Sequence, residues 1–429
     1  MFPAPLLLFL LILISPLCLI FDGPMAYGVV TALVSLLLLI IAVRIRPGEA
    51  EFSSRLIFPV ALVAAVPVLI ILIQLVPSES IGLANSIWRS AGAVLSRRVT
   101  ASITIDPGET LICMVRYFSL VGLMFATAAI AIERRRASWV LPALTVATTL
   151  SALMAVVAGL ASAAHDNALD TVATTDAAVL GIIIAVAMVS QIRERATAAS
   201  ADQTSLGLPR LMLLVCLAAI GISSFAVFQY GTIGTFVALA FAIITFIVAG
   251  VIRRFQLDTW GYLAVVAVVI VIAIAALALR PGERTMDFTV ALAAAPQSPL
   301  IGLTRRLLAE TGWFGTGAGT FAALLPIYGD IDELAAGAVP PSAAAAIAVE
   351  MGKPFLWAAL ICGIVLVITL LRGAARRGRD SFYPAAGASC VVAVIVLAFN
   401  NSGLFNTAVL VISAVSIGLA IAQSKSRTV

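Results

Sequence analysis

The sequence predicts an all-α, polytopic membrane bundle of about twelve transmembrane helices with a large, partly helical outer loop, and three observations predict it. Of the 429 residues, 62% are hydrophobic and only 11% are charged, whereas a soluble domain carries about 25% charge; the mean hydropathy is +1.14. Apolar runs long enough to cross the hydrocarbon recur along the chain. Lys and Arg alternate between the connections as membrane sidedness requires. No polar stretch is long enough to build a separate core, so residues 1–429 read as one integral membrane domain.

The runs, in order, are Pro5 to Phe21, Tyr27 to Val43, Leu56 to Val76, Leu111 to Ile132, Trp139 to Ala161 and Val172 to Gln191. They continue with Leu211 to Phe228, Gly231 to Ile252, Trp260 to Leu279, Pro354 to Leu371, Tyr383 to Phe399 and Leu404 to Ala422. Each is 17 to 23 residues long, against the roughly 20 that an α-helix needs to span the bilayer core. The first run has no basic residue before it and no small-residue cleavage pattern after it, so it reads as a span rather than an export signal.

With the amino terminus cytoplasmic, seventeen of the 26 cations fall in inner connections, among them Arg134, Arg193, Arg253, Arg377 and Lys425. Eight fall outside, and Arg116 lies within a span. The net charge of +5 is therefore mostly a topology signal, and no nucleic-acid partner is implied. The five cysteines sit in apolar runs with no CxxC spacing and no histidine beside them, so they read as small hydrophobes. Neither a metal nor a cofactor is implied.

The outside cations occupy only two loops, residues 77–110 and residues 280–353. The second carries Trp313, Phe314, Phe321, Leu324, Leu325 and Tyr328, too apolar for a disordered linker, so it is expected to fold back onto the bundle. Leu300 to Leu308 alternates as an interfacial helix would, and Pro341 to Glu350 suits another short helix. Arg305 and Arg306 precede a turn with glycines at Gly315, Gly317 and Gly319. Such a turn lets backbone donors approach a ligand, and arginine offers a planar fork to phosphate oxygens. The alternative is that both arginines snorkel to lipid headgroups while the glycines only pack a turn. The glycine string follows no parallel strand and is not a dinucleotide fingerprint.

Three further residues stand out. Arg116, about five residues inside its helix, marks either a functional site or a side chain snorkelling to the interface. His165, the only histidine, sits beside Asp166 and Asn167 in a short outer loop and is either solvated or a base. Asp176 stabilises the start of its own helix, pairs with an arginine or helps bind a sugar.

The run Gly312, Trp313, Phe314, Gly315, Thr316, Gly317, Ala318, Gly319, Thr320, Phe321, then Leu325, Pro326, Ile327 and Tyr328, precedes a helix ending Glu350, Met351 and Gly352. Together with Ser102 to Gly108 and then Arg116, this resembles the O-antigen ligase and polymerase family of bacterial polysaccharide assembly. The resemblance implies a metal-independent transferase in the bacterial inner membrane. It would move a glycan from an undecaprenyl-diphosphate carrier to a sugar acceptor on the outer side, among membrane lipids and other polysaccharide export proteins.

In that chemistry cations stabilise the leaving diphosphate and a base takes the acceptor proton. Arg116, Arg305 and Arg306 are the charge-stabilising candidates, with Arg280 and Arg284 behind them. The large loop has no histidine: Val339 to Ala343 stands where the family commonly has one. Glu350 or Asp330 then supplies the base, with His165 as a third candidate, or the chain is a non-catalytic accessory subunit. A transporter of lipid-linked glycan would put paired charges at mid-membrane in several helices, and Arg116 alone is so placed.

Overall fold

A computed structural model describes residues 3–45, 47–77, 84–97, 99–161, 169–199, 207–255, 300–329, 339–377 and 380–425. These residues form fifteen α-helices and two 3-10 turns. They are α1 (Pro3–Ile14), α2 (Pro24–Arg44), α3 (Pro47–Leu75), α4 (Ile87–Val94), α5 (Pro107–Ala131), α6 (Arg134–Ala161), α7 (Thr171–Ala199), α8 (Gly207–Tyr230) and α9 (Ile233–Phe255). The chain resumes with α10 (Ile301–Glu310), α11 (Phe321–Tyr328), α12 (Ala343–Glu350), α13 (Lys353–Arg376), α14 (Phe382–Asn400) and α15 (Thr407–Ser424). Ten of these helices are long and apolar enough to cross a bilayer. The expected span Trp260 to Leu279 lies outside the described residues, as do His165, Asp330, Arg280 and Arg284.

The first expected span, Pro5 to Phe21, is not one continuous helix. α1 stops at Ile14 and the chain tightens into a 3-10 turn over Ser15–Leu19, where Pro16 supplies no amide for an α-helical bond. The two pieces still run from one end of the bundle to the other. Ala4 lines a small cavity with Arg44 and Arg136, and the carbonyl of Leu19 accepts from the amide of Asp170. At 1.5 Å per α-helical residue and 2.0 Å per 3-10 residue, these pieces cover about 28 Å.

Burial ranks the helices. α7 and α15 have 83% of their apolar windows buried inside the protein, against 11% for α3. α7, α14 and α15 therefore form the centre, while α3 shows most of its surface to lipid. Lipid tails are as apolar as leucine, so the central contacts depend on close approach through small residues. Gly387 of α14 faces Ala420 of α15, Gly418 of α15 faces the carbonyl of Met124 in α5, and Gly181 of α7 faces Thr148 of α6. A methyl group at any of these positions would overlap its neighbour.

Polar bonds gather at the two ends. At one end Arg134 makes a two-pronged contact with Asp380, at 2.6 and 3.0 Å, and Arg253 pairs with Glu194 at 3.0 Å. Arg377 bonds Gln423 at 2.6 Å, and Gln423 donates to the carbonyl of Ala131. This is the arginine end, where connections that the cation count put on one side come together. The opposite, loop end holds residues 84–106, α10 to α12 and the starts of α5, α7, α13 and α15. Arg253 lies at the arginine end, and Leu300 packs with Phe399 at the loop end.

Candidate functional site

The glycine loop is built from close approaches that side chains would forbid. Gly315, Gly317 and Gly319 have φ of 75°, 117° and 80°, a region that L side chains rarely adopt. A Cβ on Gly315 would overlap the carbonyl of Glu350, and one on Gly317 would overlap the Thr104 side chain. Gly319 lies against Glu109 and Cys113 of α5. The loop is thus clamped between the last turn of α12 and the first turns of α5. Asp106 starts α5 by accepting from the amide of Glu109 at 3.0 Å, with Pro107 in the first turn.

Glu350 fills the loop from inside. Its Oε2 accepts from the amide of Gly319 at 2.9 Å and its Oε1 from the amide of Phe321 at 3.1 Å. Thr316 N–H donates to the carbonyl of Val349, and Gly317 N–H to that of Glu350. The remaining gap is closed by Gln74 from the end of α3. Its Nε2 donates to the carbonyls of Phe314 and Glu350 at 2.6 and 2.8 Å, and its Oε1 accepts from Ala318 at 3.1 Å. The amides of Thr316, Gly317, Ala318, Gly319 and Phe321 are thus all bonded within the protein. The turn is an anion-binding concavity occupied by the protein's own carboxylate. Gln74, a lone amide at the end of an apolar run, carried no sequence signal for this role.

Desolvation pushes the Glu350 carboxyl up to about 7. The two amide bonds and the charge of Arg116 pull it down, and Glu109 adds to the rise. Arg116 thus stands within electrostatic reach of Glu350. Its guanidinium lies over the Tyr27 ring, 3.5 Å from the centroid, and Nη2 donates to the carbonyl of Phe405 at 3.3 Å. Arg116 is partly buried between α2, α5 and the 3-10 turn Gly403–Phe405.

Beside it lies a second polar group. Asp22 accepts from Thr407 at 2.8 Å, and Asp170 accepts from Asn406 at 3.5 Å. Asp170, not Asp176, caps α7, accepting from the amide of Ala173 at 3.0 Å. Asp176 lies one turn further in and is fully buried; its Oδ1 accepts from Asn401 at 3.0 Å and its Oδ2 sits against Gly403. Its partner is an amide of α14's end rather than an arginine.

Arg305 and Arg306 lie on the exposed face of α10, whose opposite face buries Leu303, Leu307 and Leu308. Below α10 opens a cleft of about 410 Å³, bounded by Asn85, Glu310, Trp313 and Tyr328. Neither member of the arginine pair lines it, and neither does Arg116. Trp313 is 80% exposed at its mouth. Burial first, then the nearby Glu310 carboxylate, pushes the Tyr328 phenol above its ordinary value. Among the described residues no group of three or more His, Cys, Asp or Glu side chains could hold a metal ion. No family model matches the chain, and no curated protein matches it.

Proposed function

We propose that the chain is a glycosyltransferase of bacterial polysaccharide assembly, transferring a glycan from an undecaprenyl-diphosphate carrier to a sugar acceptor at its loop end. The observation that carries this reading is geometric: α5 both fixes the Arg116 guanidinium, over Tyr27 and on the carbonyl of Phe405, and packs its first turns against the glycine loop that seats the Glu350 carboxyl. The acceptor hydroxyl would attack the anomeric carbon while the bond to the diphosphate breaks. Charge then develops on the leaving diphosphate, where a preorganised cation is worth most. A carboxyl near neutrality is matched to taking the hydroxyl proton, provided one loop amide releases it. The resemblance in the glycine loop and around Arg116 supports the same substrate class, with the loop end on the outer side of the cytoplasmic membrane.

A second reading has its own observation. Both Glu350 oxygens are already bonded to the loop, as they would be in a non-catalytic subunit of the export machinery. The separating experiment is turnover in nanodiscs, with undecaprenyl-diphosphate oligosaccharide as donor, an oligosaccharide acceptor, and released carrier as readout. Transfer by the native protein and a loss of about 100-fold in Arg116→Ala support the transferase. Native turnover that survives Arg116→Ala removes Arg116 from the site. Absence of turnover favours the accessory subunit.

A further inference from the structure

The geometry points to a saccharide-binding site in the cleft under α10, with Trp313 as the stacking platform and Glu310 and Asn85 reading hydroxyl groups. It deepens the proposed transfer, and rests on that reading only for which glycan arrives.

The volume of about 410 Å³ lies within the usual range for small-molecule sites. The charge of the lining selects among ligands. Among the described residues that line it, Glu310 is the one acidic side chain and there is no lysine or arginine, a lining that disfavours a phosphate or other anion. A neutral polyol fits that lining. Its hydroxyls donate to the carboxylate of Glu310, which lines the cleft together with Tyr328. Asn85 spends its side-chain oxygen on the amide of Ile87 at 3.1 Å, which leaves its NH2 group to donate to a sugar oxygen.

Trp313 supplies the apolar half of the match. An indole that is 80% exposed offers a flat face to the C–H side of a pyranose ring. Its backbone is also held in place. The Trp313 carbonyl lies so close to Gly352 that a Cβ there would overlap it, and Gly352 has φ of 93°. Two residues on, Gly315 is locked against Glu350. Clamping the loop by Glu350 and Gln74 therefore holds the backbone that carries the indole, which leaves only the side chain's own rotamers to be ordered on binding.

The test uses the full chain in nanodiscs, fluorescently labelled and applied to an array of neutral oligosaccharides, followed by calorimetric titration with the best binder. Native protein binds at least one neutral oligosaccharide. Trp313→Ala weakens that binding at least tenfold, Trp313→Phe weakens it less, and Glu310→Gln weakens it severalfold. Failure of native protein to bind any oligosaccharide, or native-like binding by Trp313→Ala, overturns the site. Binding that is intact in a protein without turnover overturns the transferase reading alone. Trp313 is exposed, so its replacement leaves the fold in place, checked by an unchanged melting temperature.

Discussion

The side-chain amide of Gln74 and the main-chain carbonyl of Glu350, 276 positions apart in sequence, meet at 2.8 Å. The same amide group also holds Phe314 and Ala318. One fully buried side chain at the end of α3 thus joins a membrane helix, the glycine loop and the turn before α13. Replacing Gln74 with leucine keeps the bulk and removes all three bonds. The Phe314 carbonyl and the Ala318 amide then lose their Gln74 partner, each at about 1 to 3 kcal/mol before relaxation, while the Glu350 carbonyl keeps the Gly317 N–H. The expected net loss is about 3 kcal/mol, read as a lower melting temperature in detergent with faster proteolysis within residues 312–329. An unchanged melting temperature would show that water replaces the side chain.

Glu350 predicts a pH dependence. Its carboxyl is raised from an ordinary 4.5 to about 7, chiefly by desolvation. Between those values the folded chain holds a proton that the unfolded chain has released. This contribution to stability is therefore complete below pH 4.5, declines as pH rises towards 7, and is flat above. The decline is worth at most about 3 kcal/mol. Glu109, Cys113 and Arg116 on α5 are the titratable groups facing it. Glu350→Gln should remove this component of the slope in chemical unfolding between pH 5 and 7, while lowering stability throughout, because its NH2 group faces a backbone donor. An identical slope in the variant would assign the pH dependence elsewhere.

Much of this architecture was legible from single-residue patterns. Hydropathy located the ten long spans, and the short helices α10 and α12 fall where Leu300 to Leu308 and Pro341 to Glu350 placed them. What hydropathy cannot see is a change of helix type. The break after Ile14 depends on one missing amide at Pro16 inside an otherwise unbroken apolar run. The glycines were visible, but their purpose was not. Whether a turn's amides are free depends on what else reaches them, and here Gln74 and Glu350 arrive from distant helices. The cleft was equally hidden, because Asn85, Glu310, Trp313 and Tyr328 come from four segments with no common spacing.

Asp176 tests the central seam. Its Oδ1 holds Asn401, while Oδ2 is buried without a hydrogen-bond partner among the described residues. Asp176→Asn keeps the shape and the acceptor and removes the ionisable group, so stability should stay within about 1 kcal/mol of native. Asp176→Ala strands Asn401 and opens a void beside Gly403, at an expected cost of about 2 to 3 kcal/mol. Denaturant midpoints measured on both variants in the same detergent give the comparison. Equal losses in the two would mean that the carboxylate itself, not the acceptor, holds α7 to α14.

The segregation of the polar ends makes a prediction about sidedness. Ala322 is exposed on α11 at the loop end, and Arg135 is exposed at the start of α6 at the arginine end. Seventeen of the 26 cations were assigned to connections on the arginine side, which the positive-inside tendency puts in the cytoplasm. In a background with the five cysteines replaced by alanine, Ala322→Cys should react with a membrane-impermeant maleimide in intact spheroplasts. Arg135→Cys should react only after permeabilisation. Reaction of both from outside would contradict a bundle whose two ends face opposite compartments. The reverse pattern would keep that bundle but turn it over, placing Trp313, Glu350 and the cleft under α10 in the cytoplasm, opposite to the side that the proposed transfer requires.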